Sequence, residues 1–189
     1  MNRIERLFVR AKHWQIFLLF VAVFAVGQLP LIGNFTVAAK SPEDQEVFLV
    51  LAQVVGAMVV WCFLVWLWAL GSFLASVVPP GRALKKRFFL FTIVCSAIYM
   101  PVSIAVFQSI DRMLFIVTIP LHLFGVFCMF CNLYFVAEGL ETAETGERPS
   151  FLDVLGTFLL LIFGIIGVWF IQPRVNRLYA EKQAAQATA

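Results

Sequence analysis

The chain has 189 residues, of which 62% are hydrophobic and only 13% are charged, and its formal net charge is +3. A soluble domain has about 45–50% apolar and about 25% charged residues, so this composition predicts an all-α integral membrane protein. It excludes a disordered or disulfide-stapled chain. The small, dispersed positive charge also argues against a surface for nucleic acid.

Five apolar segments are candidates for membrane helices, because a bilayer core about 30 Å thick requires about 20 apolar residues in helical conformation. They cover residues 14–32, 47–78, 88–107, 114–137 and 151–171. We expect one polytopic membrane domain over residues 1–189, with four transmembrane helices plus a re-entrant or fifth membrane segment near the C-terminus. A cleaved signal peptide ending near Val37-Ala38-Ala39 is the alternative for the first segment, but its apolar run suits a retained signal-anchor better.

Capping residues and prolines predict where some of these helices begin, end or bend. Ser41 and Pro42 suit the start of the second segment, and Pro79-Pro80-Gly81 suits its end. Ser150 with Asp153 predicts a capping pair at the start of the last segment. Pro101 and Pro120, near the middles of the third and fourth segments, predict kinks.

The distribution of Lys and Arg predicts the orientation, because basic residues are retained in the cytoplasm. One cluster precedes the first segment and one follows the second; they comprise Arg3, Arg6, Arg10 and Lys12, and Arg82, Lys85, Lys86 and Arg87. We therefore expect a bacterial cytoplasmic (inner) membrane protein with a cytoplasmic N-terminus. The second cluster is also a predicted contact for lipid headgroups.

For the last segment, length and charge give opposite predictions. A crossing fits its length but would carry Arg174, Arg177 and Lys182 to the outer side, whereas a return would keep them inside. Gly164 and Gly167 provide a place for a helix to break. We favour a half-inserted hairpin, preceded by a cytoplasmic acidic loop at 138–150 and followed by a polar C-terminal tail at 174–189, in which Pro173 can begin a short amphipathic helix.

Several stretches resemble a family of small, uncharacterised (hypothetical) bacterial multi-pass membrane proteins. The likeness runs through most of the chain in the same order, and its most distinctive parts are the stretches PLHLF (120–124), LYFVA (133–137) and GVWFIQPRVN (167–176). The resemblance implies a helical membrane protein with a broken last segment. It implies no activity, because none is known to us for that family.

Polar residues within the apolar segments are candidate functional positions, since each is costly in lipid unless it is paired. They are Gln53, His122 and Asn132. Hydrogen bonding to the backbone or between helices is the more ordinary role for all three. Cys128 and Cys131 form a C-x-x-C pair, but His122 lies on the opposite side of the same helix, so we predict apolar packing and no metal or cofactor.

Small residues at four-residue spacing predict close helix contacts on the second segment, either within the chain or between copies. They are Ala52 with Gly56, and Gly71 with Ala75. Because four or five segments enclose no evident hydrophilic cavity, we expect a homo-oligomer.

The acidic series Glu138, Glu141, Glu144 and Glu147 follows the fourth segment at intervals of three residues. Its early members share one side of a continuing helical turn, which Gly146 and Pro149 then end. The series could pair with the basic cluster or dock a cytosolic protein, and a solubilising linker is the plainer interpretation.

Two functions remain open from the sequence. The first is a non-enzymatic, oligomeric membrane anchor or subunit that contacts membrane lipids and docks a cytosolic partner or assembly. The second is a small oligomeric channel or permeability factor with His122 and Asn132 near its path. An enzyme has no nucleophile, base or metal constellation in this sequence.

Overall fold

The computed structural model describes residues 2–36, 42–79, 85–108 and 114–188, and all regular structure in these ranges is α-helical. In chain order the helices are α1 (Arg3–Arg10), α2 (His13–Thr36), α3 (Pro42–Leu74), α4 (Lys86–Gln108), α5 (Leu114–Thr145), α6 (Phe151–Ile162) and α7 (Gly164–Ala187). The all-α prediction is confirmed over these residues.

Two of the described helices are long and apolar enough to cross a membrane, over Gln53–Leu74 of α3 and Ile119–Thr145 of α5. Helices α1 and α2, which are bent relative to each other, form a third candidate span if the pair is counted as one. Helix α6 is apolar but too short for the same criterion. These helices are compatible with a membrane protein, and four crossings stay a prediction. The predicted N-cap Ser41, the possible cleavage site at 37–39 and the basic residue Arg82 lie outside the described residues.

Some helix ends follow the local signals, but α3 ends at Leu74, before the Pro79-Pro80-Gly81 stop that the sequence predicted, because turns follow at residues 75–78. The described part of α3 begins at Pro42, and its predicted N-cap at Ser41 stays a prediction. Ser150 and Asp153 form a reciprocal capping box at the start of α6, which confirms the predicted pair. Helix α5 continues through Pro120 to Thr145, and Gly146 follows with a positive φ of 66°. Most of the acidic segment predicted as a loop at 138–150 is therefore the last two turns of a helix.

Helix α1 has no counterpart among the predicted segments. Asn2 and Glu5 form a capping box at its start, and the chain then bends by 106° between α1 and α2. Val9 of α1 is fully buried, whereas Ile4 and Leu7 are exposed. The basic N-terminus is thus a short helix packed crosswise on the bundle.

The last predicted segment reverses direction instead of forming one straight helix. Helix α6 ends at Ile162 and α7 begins at Gly164. A β-carbon at Gly167 would lie 1.9 Å from the carbonyl oxygen of Leu160, although seven residues of a straight helix span about 10 Å. The two helices therefore form a tight hairpin. Residues predicted as a polar tail continue α7 as a helix as far as Ala187, and Pro173 lies inside this helix rather than at its start.

The core lies where α3 meets α2, α5 and the hairpin. Trp66, Leu70, Phe73, Leu140 and Ile171 are fully or almost fully buried there. Phe20 packs edge-on against Trp66, with ring centroids 5.7 Å apart. This packing holds α7 against α3 and α5 at one end of the bundle.

Candidate functional site

Polar side chains of α7 join four other helices at one end of the bundle. We call this set the polar junction; it comprises Trp66 of α3, Glu141 and Glu144 of α5, Thr157 of α6, and Gln172 and Arg174 of α7. It is the most extensive polar feature among the described residues, and its two parts are centred on Gln172 and Arg174.

Gln172 is completely buried and connects α7 to α1 and α3. Its amide nitrogen donates to the carbonyl oxygens of Phe8 at 2.9 Å and Ala11 at 3.0 Å. Its amide oxygen accepts a hydrogen bond from Trp66 Nε1 at 3.1 Å. The last carbonyls of a helix lack partners within the helix, so one glutamine satisfies the end of α1 and the indole of α3 together.

Arg174 connects α7 to α5 and α6 through all three guanidinium nitrogens. Its Nε donates to Glu144 Oε2 at 2.9 Å, its Nη2 to Glu141 Oε1 at 2.7 Å, and its Nη1 to Thr157 Oγ1 at 2.8 Å. The Thr157 hydroxyl in turn donates to Glu141. A planar guanidinium suits such a divergent set of acceptors better than an ammonium does.

The electrostatics of this part favour the charged guanidinium. Burial acts to lower the pKa of Arg174, but the hydrogen bonds and charges of Glu144 and Glu141 outweigh it, and the net shift is upward. The carboxyl side chains of Glu141 and Glu144 are each 14% exposed, and Arg174 is 25% exposed. The network is thus shielded from water, so it is screened less by salt than a surface ion pair.

Two further basic residues tie the remainder of α7 to the same end. Arg177, which is largely exposed, also contacts Glu144, with Nη2 2.8 Å from Oε1. Lys182 donates to Ser76 Oγ just beyond the end of α3, at 2.9 Å. Helix α1, the ends of α3 and α5, the start of α6 and most of α7 therefore lie at one end of the bundle.

The predicted docking role of the acidic series needs revision at two of its four positions. Glu141 and Glu144 are engaged by Arg174 and Arg177 within the chain, so their carboxylates are not free to receive a partner. Glu138 is half-buried, and Glu147 is exposed beyond the end of α5. The partners of Glu141 and Glu144 are α7 residues, whereas the sequence left open a pairing with the basic cluster before α4.

That basic cluster is described from residue 85 onward. Lys85, Lys86 and Arg87 are exposed at the start of α4, and they form no ion pair with a described residue. Their contact with lipid headgroups stays a prediction.

Two of the three polar residues predicted to lie within the membrane, Asn132 and His122, contact the neighbouring helix α4. Asn132 is fully buried; it accepts a hydrogen bond from Thr92 at 2.6 Å and donates one to Ser96 at 3.1 Å, which links α5 to α4. His122 of α5 contacts the hydroxyl of Tyr99 on α4. Gln53 is half-buried on α3. Over the described residues, no buried side-chain nitrogen or oxygen lacks a partner.

The small residues of α3 differ from one another in their surroundings. A β-carbon at Gly71 would lie 2.4 Å from the Phe89 ring of α4, so this glycine permits close helix contact within the chain. Ala75 is half-buried, whereas Gly56 is exposed with open space around it. The side chain of Ala52 lies outside the described part.

The four cysteines are free thiols, with Cys128 buried and Cys131 half-buried. Within the described ranges, no group of three His, Cys, Asp or Glu side chains is arranged to hold a metal ion.

Sequence reasoning did not identify Trp66, Thr157, Gln172 or Arg174 as a joint site. The available signal was the run Gln172-Pro173-Arg174, which puts polar residues directly after an apolar segment. That run indicates contact with Glu141 and Glu144 only if the last segment returns to its starting side. If the segment crossed the membrane, Arg174 would lie on the other side from both glutamates.

Comparisons with protein-family models, with curated proteins and with solved structures find no match for this chain. The interpretation of the site therefore depends on its geometry.

Proposed function

We propose that this chain is a non-enzymatic, oligomeric anchoring subunit of the bacterial inner membrane that docks a cytosolic partner at the end of the bundle bearing the polar junction. The observation that carries the proposal is the attachment of α7 to α1, α3 and α5 at that end. Such cross-linking gives a rigid surface, and a rigid surface loses little entropy when a partner binds.

The distribution of charge supports a cytoplasmic position for this end. Arg174, Arg177 and Lys182 lie at the same end as the basic residues of α1 and the start of α4. Of the 14 basic residues, this arrangement leaves only Lys40 and Arg112 for the predicted outer side. The positive-inside rule favours that asymmetry.

The docking surface that we propose is formed by the exposed charges around the polar junction. Glu147 and Arg148 are exposed between α5 and α6. Glu181 of α7 is also exposed, and its only ion pair among the described residues is a long one, 3.9 Å, with the exposed Arg177. Because Glu141 and Glu144 are used within the chain, Glu147 keeps the docking role expected of the acidic series, and Arg148 and Glu181 join it. Exposed interfacial charges contribute to partner choice and association rate more than to raw affinity.

The test is native mass spectrometry of the protein gently extracted from its own membrane, with every co-purifying chain identified. We expect a stoichiometric cytosolic companion, and we expect Glu147→Gln with Glu181→Gln to reduce its recovery about tenfold, because the change removes two exposed carboxylates. Lys86→Gln with Arg87→Gln is the matched control and should retain the companion. A clean homo-oligomer without a companion, or equal losses in both double variants, would contradict the proposal.

The channel alternative receives no specific support from the described residues. Asn132, which such a path would use, already exchanges hydrogen bonds with Thr92 and Ser96 of α4. Purified protein in liposomes should therefore conduct no ions. A sustained ion flux that Asn132→Leu abolishes would favour the channel over the anchor.

A further inference from the structure

The 106° bend between α1 and α2 leaves a groove on the inner side of the bend. This groove has a volume of about 700 Å³ and combines basic and apolar walls. We call it the elbow groove; it is lined mainly by Arg3, Arg6, Leu7 and Arg10 of α1, and Ile16 and Leu19 of α2.

The basic wall comes from one face of α1. Arg3, Arg6 and Arg10 are spaced by three and four residues, which places them on the same side of a helix, and all three are exposed. None of the three forms an ion pair with a described residue. The groove thus concentrates three guanidinium groups without an anionic partner in the described part of the chain.

The apolar wall lies directly beside these charges. Leu7 shares the arginine face and is 67% exposed, and Leu19 of α2 is 37% exposed. Exposed leucines beside arginines suit a ligand that has both an anionic group and a hydrocarbon part. A free phosphate ion would satisfy the guanidinium groups and leave the leucines uncovered.

The groove is held in shape by the protein itself. Val9, on the side of α1 opposite Leu7, is fully buried, and Gln172 binds the carbonyls of Phe8 and Ala11 at the bend. The orientation of α1 therefore does not depend on a ligand. Preorganisation of this kind lowers the cost of binding.

We propose that the elbow groove is a binding site for an anionic glycerophospholipid. The guanidinium groups of Arg3, Arg6 and Arg10 hold the phosphodiester, for which their planar donor sets are suited. One acyl chain lies along Leu7 and Leu19 of the apolar wall. This site is separate from the exposed cluster at Lys85, Lys86 and Arg87. It does not require a protein partner. The lipid proposal can therefore fail while the anchoring proposal stands, and the anchoring proposal can fail while the lipid proposal stands.

The experiment measures binding of dioleoylphosphatidylglycerol and dioleoylphosphatidylcholine to the purified full chain in detergent by native mass spectrometry. We expect the anionic lipid to bind in preference to the zwitterionic one at a defined stoichiometry. A triple variant with Arg3, Arg6 and Arg10 all replaced by Gln should bind the anionic lipid about a hundredfold more weakly. The reason is that each basic residue near an anionic headgroup raises the affinity roughly fivefold. The matched control, Lys85, Lys86 and Arg87 all to Gln, should weaken it less than about fivefold, because it leaves the groove intact.

A second variant tests the apolar wall. Leu7→Gln should weaken binding of the dioleoyl lipid several-fold, and millimolar inorganic phosphate should not displace that lipid from the wild type. Since Leu7 and the arginines are exposed, we expect every variant to have the unfolding temperature of the wild type. If the triple arginine variant does not fold, the single variants Arg6→Gln and Leu7→Gln are used in its place. Equal losses in the two triple variants, displacement by phosphate, or no preference for the anionic lipid would overturn the proposal.

Discussion

Lys182 near the end of α7 donates a hydrogen bond to Ser76 just beyond α3, with Nζ 2.9 Å from Oγ. The two residues are 106 positions apart in the chain. Their contact fixes the end of α7 beside the end of α3, so the last apolar segment returns to the end of the bundle from which it started. Helix α6, at 12 residues, would span about 18 Å, which is too short for a bilayer core of about 30 Å.

The hairpin depends on the absence of a side chain at Gly167. Gly167→Ala would place a β-carbon against the backbone of Leu160, where no flexible side chain can move aside. We expect a loss of about 2–3 kcal/mol in the free energy of unfolding, the range of severe overpacking. Thermal unfolding in detergent measures it.

Gly156→Ala is the control for the hairpin variant, because Gly156 of α6 has open space around its Cα. It should be neutral or should stabilise the protein by up to about 1 kcal/mol, since alanine favours the helix. Similar stability of the two variants would contradict the tight reversal.

Arg174 holds two shielded carboxylates of α5 and the hydroxyl of Thr157. Arg174→Gln removes the ion pair of Glu141 and leaves Glu144 with Arg177 alone. We expect the free energy of unfolding to fall by about 2 kcal/mol, less than for a fully buried pair. Arg177→Gln removes the ion pairs that the exposed Arg177 makes with Glu144 and Glu181, and it should cost less than about 1 kcal/mol. Arg174→Lys should not restore full stability, because an ammonium cannot bind all three acceptors in the same arrangement. Equal effects of Arg174→Gln and Arg177→Gln in a denaturation series would refute this role for Arg174.

Gln172 orients α1 on the bundle. Gln172→Leu leaves the Trp66 N–H and the Phe8 carbonyl without this partner, while the Ala11 carbonyl keeps its hydrogen bond from Asn176. We expect a loss of about 2 kcal/mol in the free energy of unfolding. Hydrogen exchange over residues 3–10 should accelerate, because α1 then detaches more often. Gln183→Leu, on an exposed part of α7, is the matched control. An unchanged rate of hydrogen exchange over residues 3–10 in the Gln172 variant would show that Gln172 is not needed to keep α1 packed on the bundle.

The small residues of α3 should respond differently to added volume. Gly71→Ala presses on the buried Phe89 ring, which stacks on Phe135 with ring centroids 4.2 Å apart. We expect a loss of about 1–3 kcal/mol. Gly56→Ala should leave stability unchanged, and the bulkier Gly56→Ile should reduce the oligomer seen by native mass spectrometry if this exposed face joins copies of the chain. An oligomer that persists in Gly56→Ile would place the subunit contact elsewhere.

The sequence predicts the helical class well because apolar composition and local capping determine it. The Ser150 and Asp153 capping box depends only on neighbouring residues, so it can be predicted directly from the sequence. Helix α1 was not predicted because half of its eight residues are charged. Its position also depends on distant contacts, such as that between Gln172 and the Val9 carbonyl, 163 residues apart.

The polar junction was harder to predict for a related reason. Glu141 and Glu144 are conspicuous in the sequence, but their partner depends on the direction that the chain takes after Ile162. Residue spacing can identify a face of α5. Gly164 and Gly167 favour a return of the last segment, but spacing does not show which face of α5 the returning α7 meets, because that depends on the packing of α6 against α7 near Gly167 and Leu160.

The most direct test of the central claim, that the last segment returns to its starting side, is side-specific labelling of single cysteines. Lys12→Cys, Lys40→Cys and Ala185→Cys are introduced separately after the four native cysteines are replaced by serine, and a membrane-impermeant maleimide is applied to spheroplasts and to inside-out vesicles. We predict that Lys12→Cys and Ala185→Cys are labelled from the same side and Lys40→Cys from the other. Labelling of Ala185→Cys from the side that labels Lys40→Cys would contradict the account.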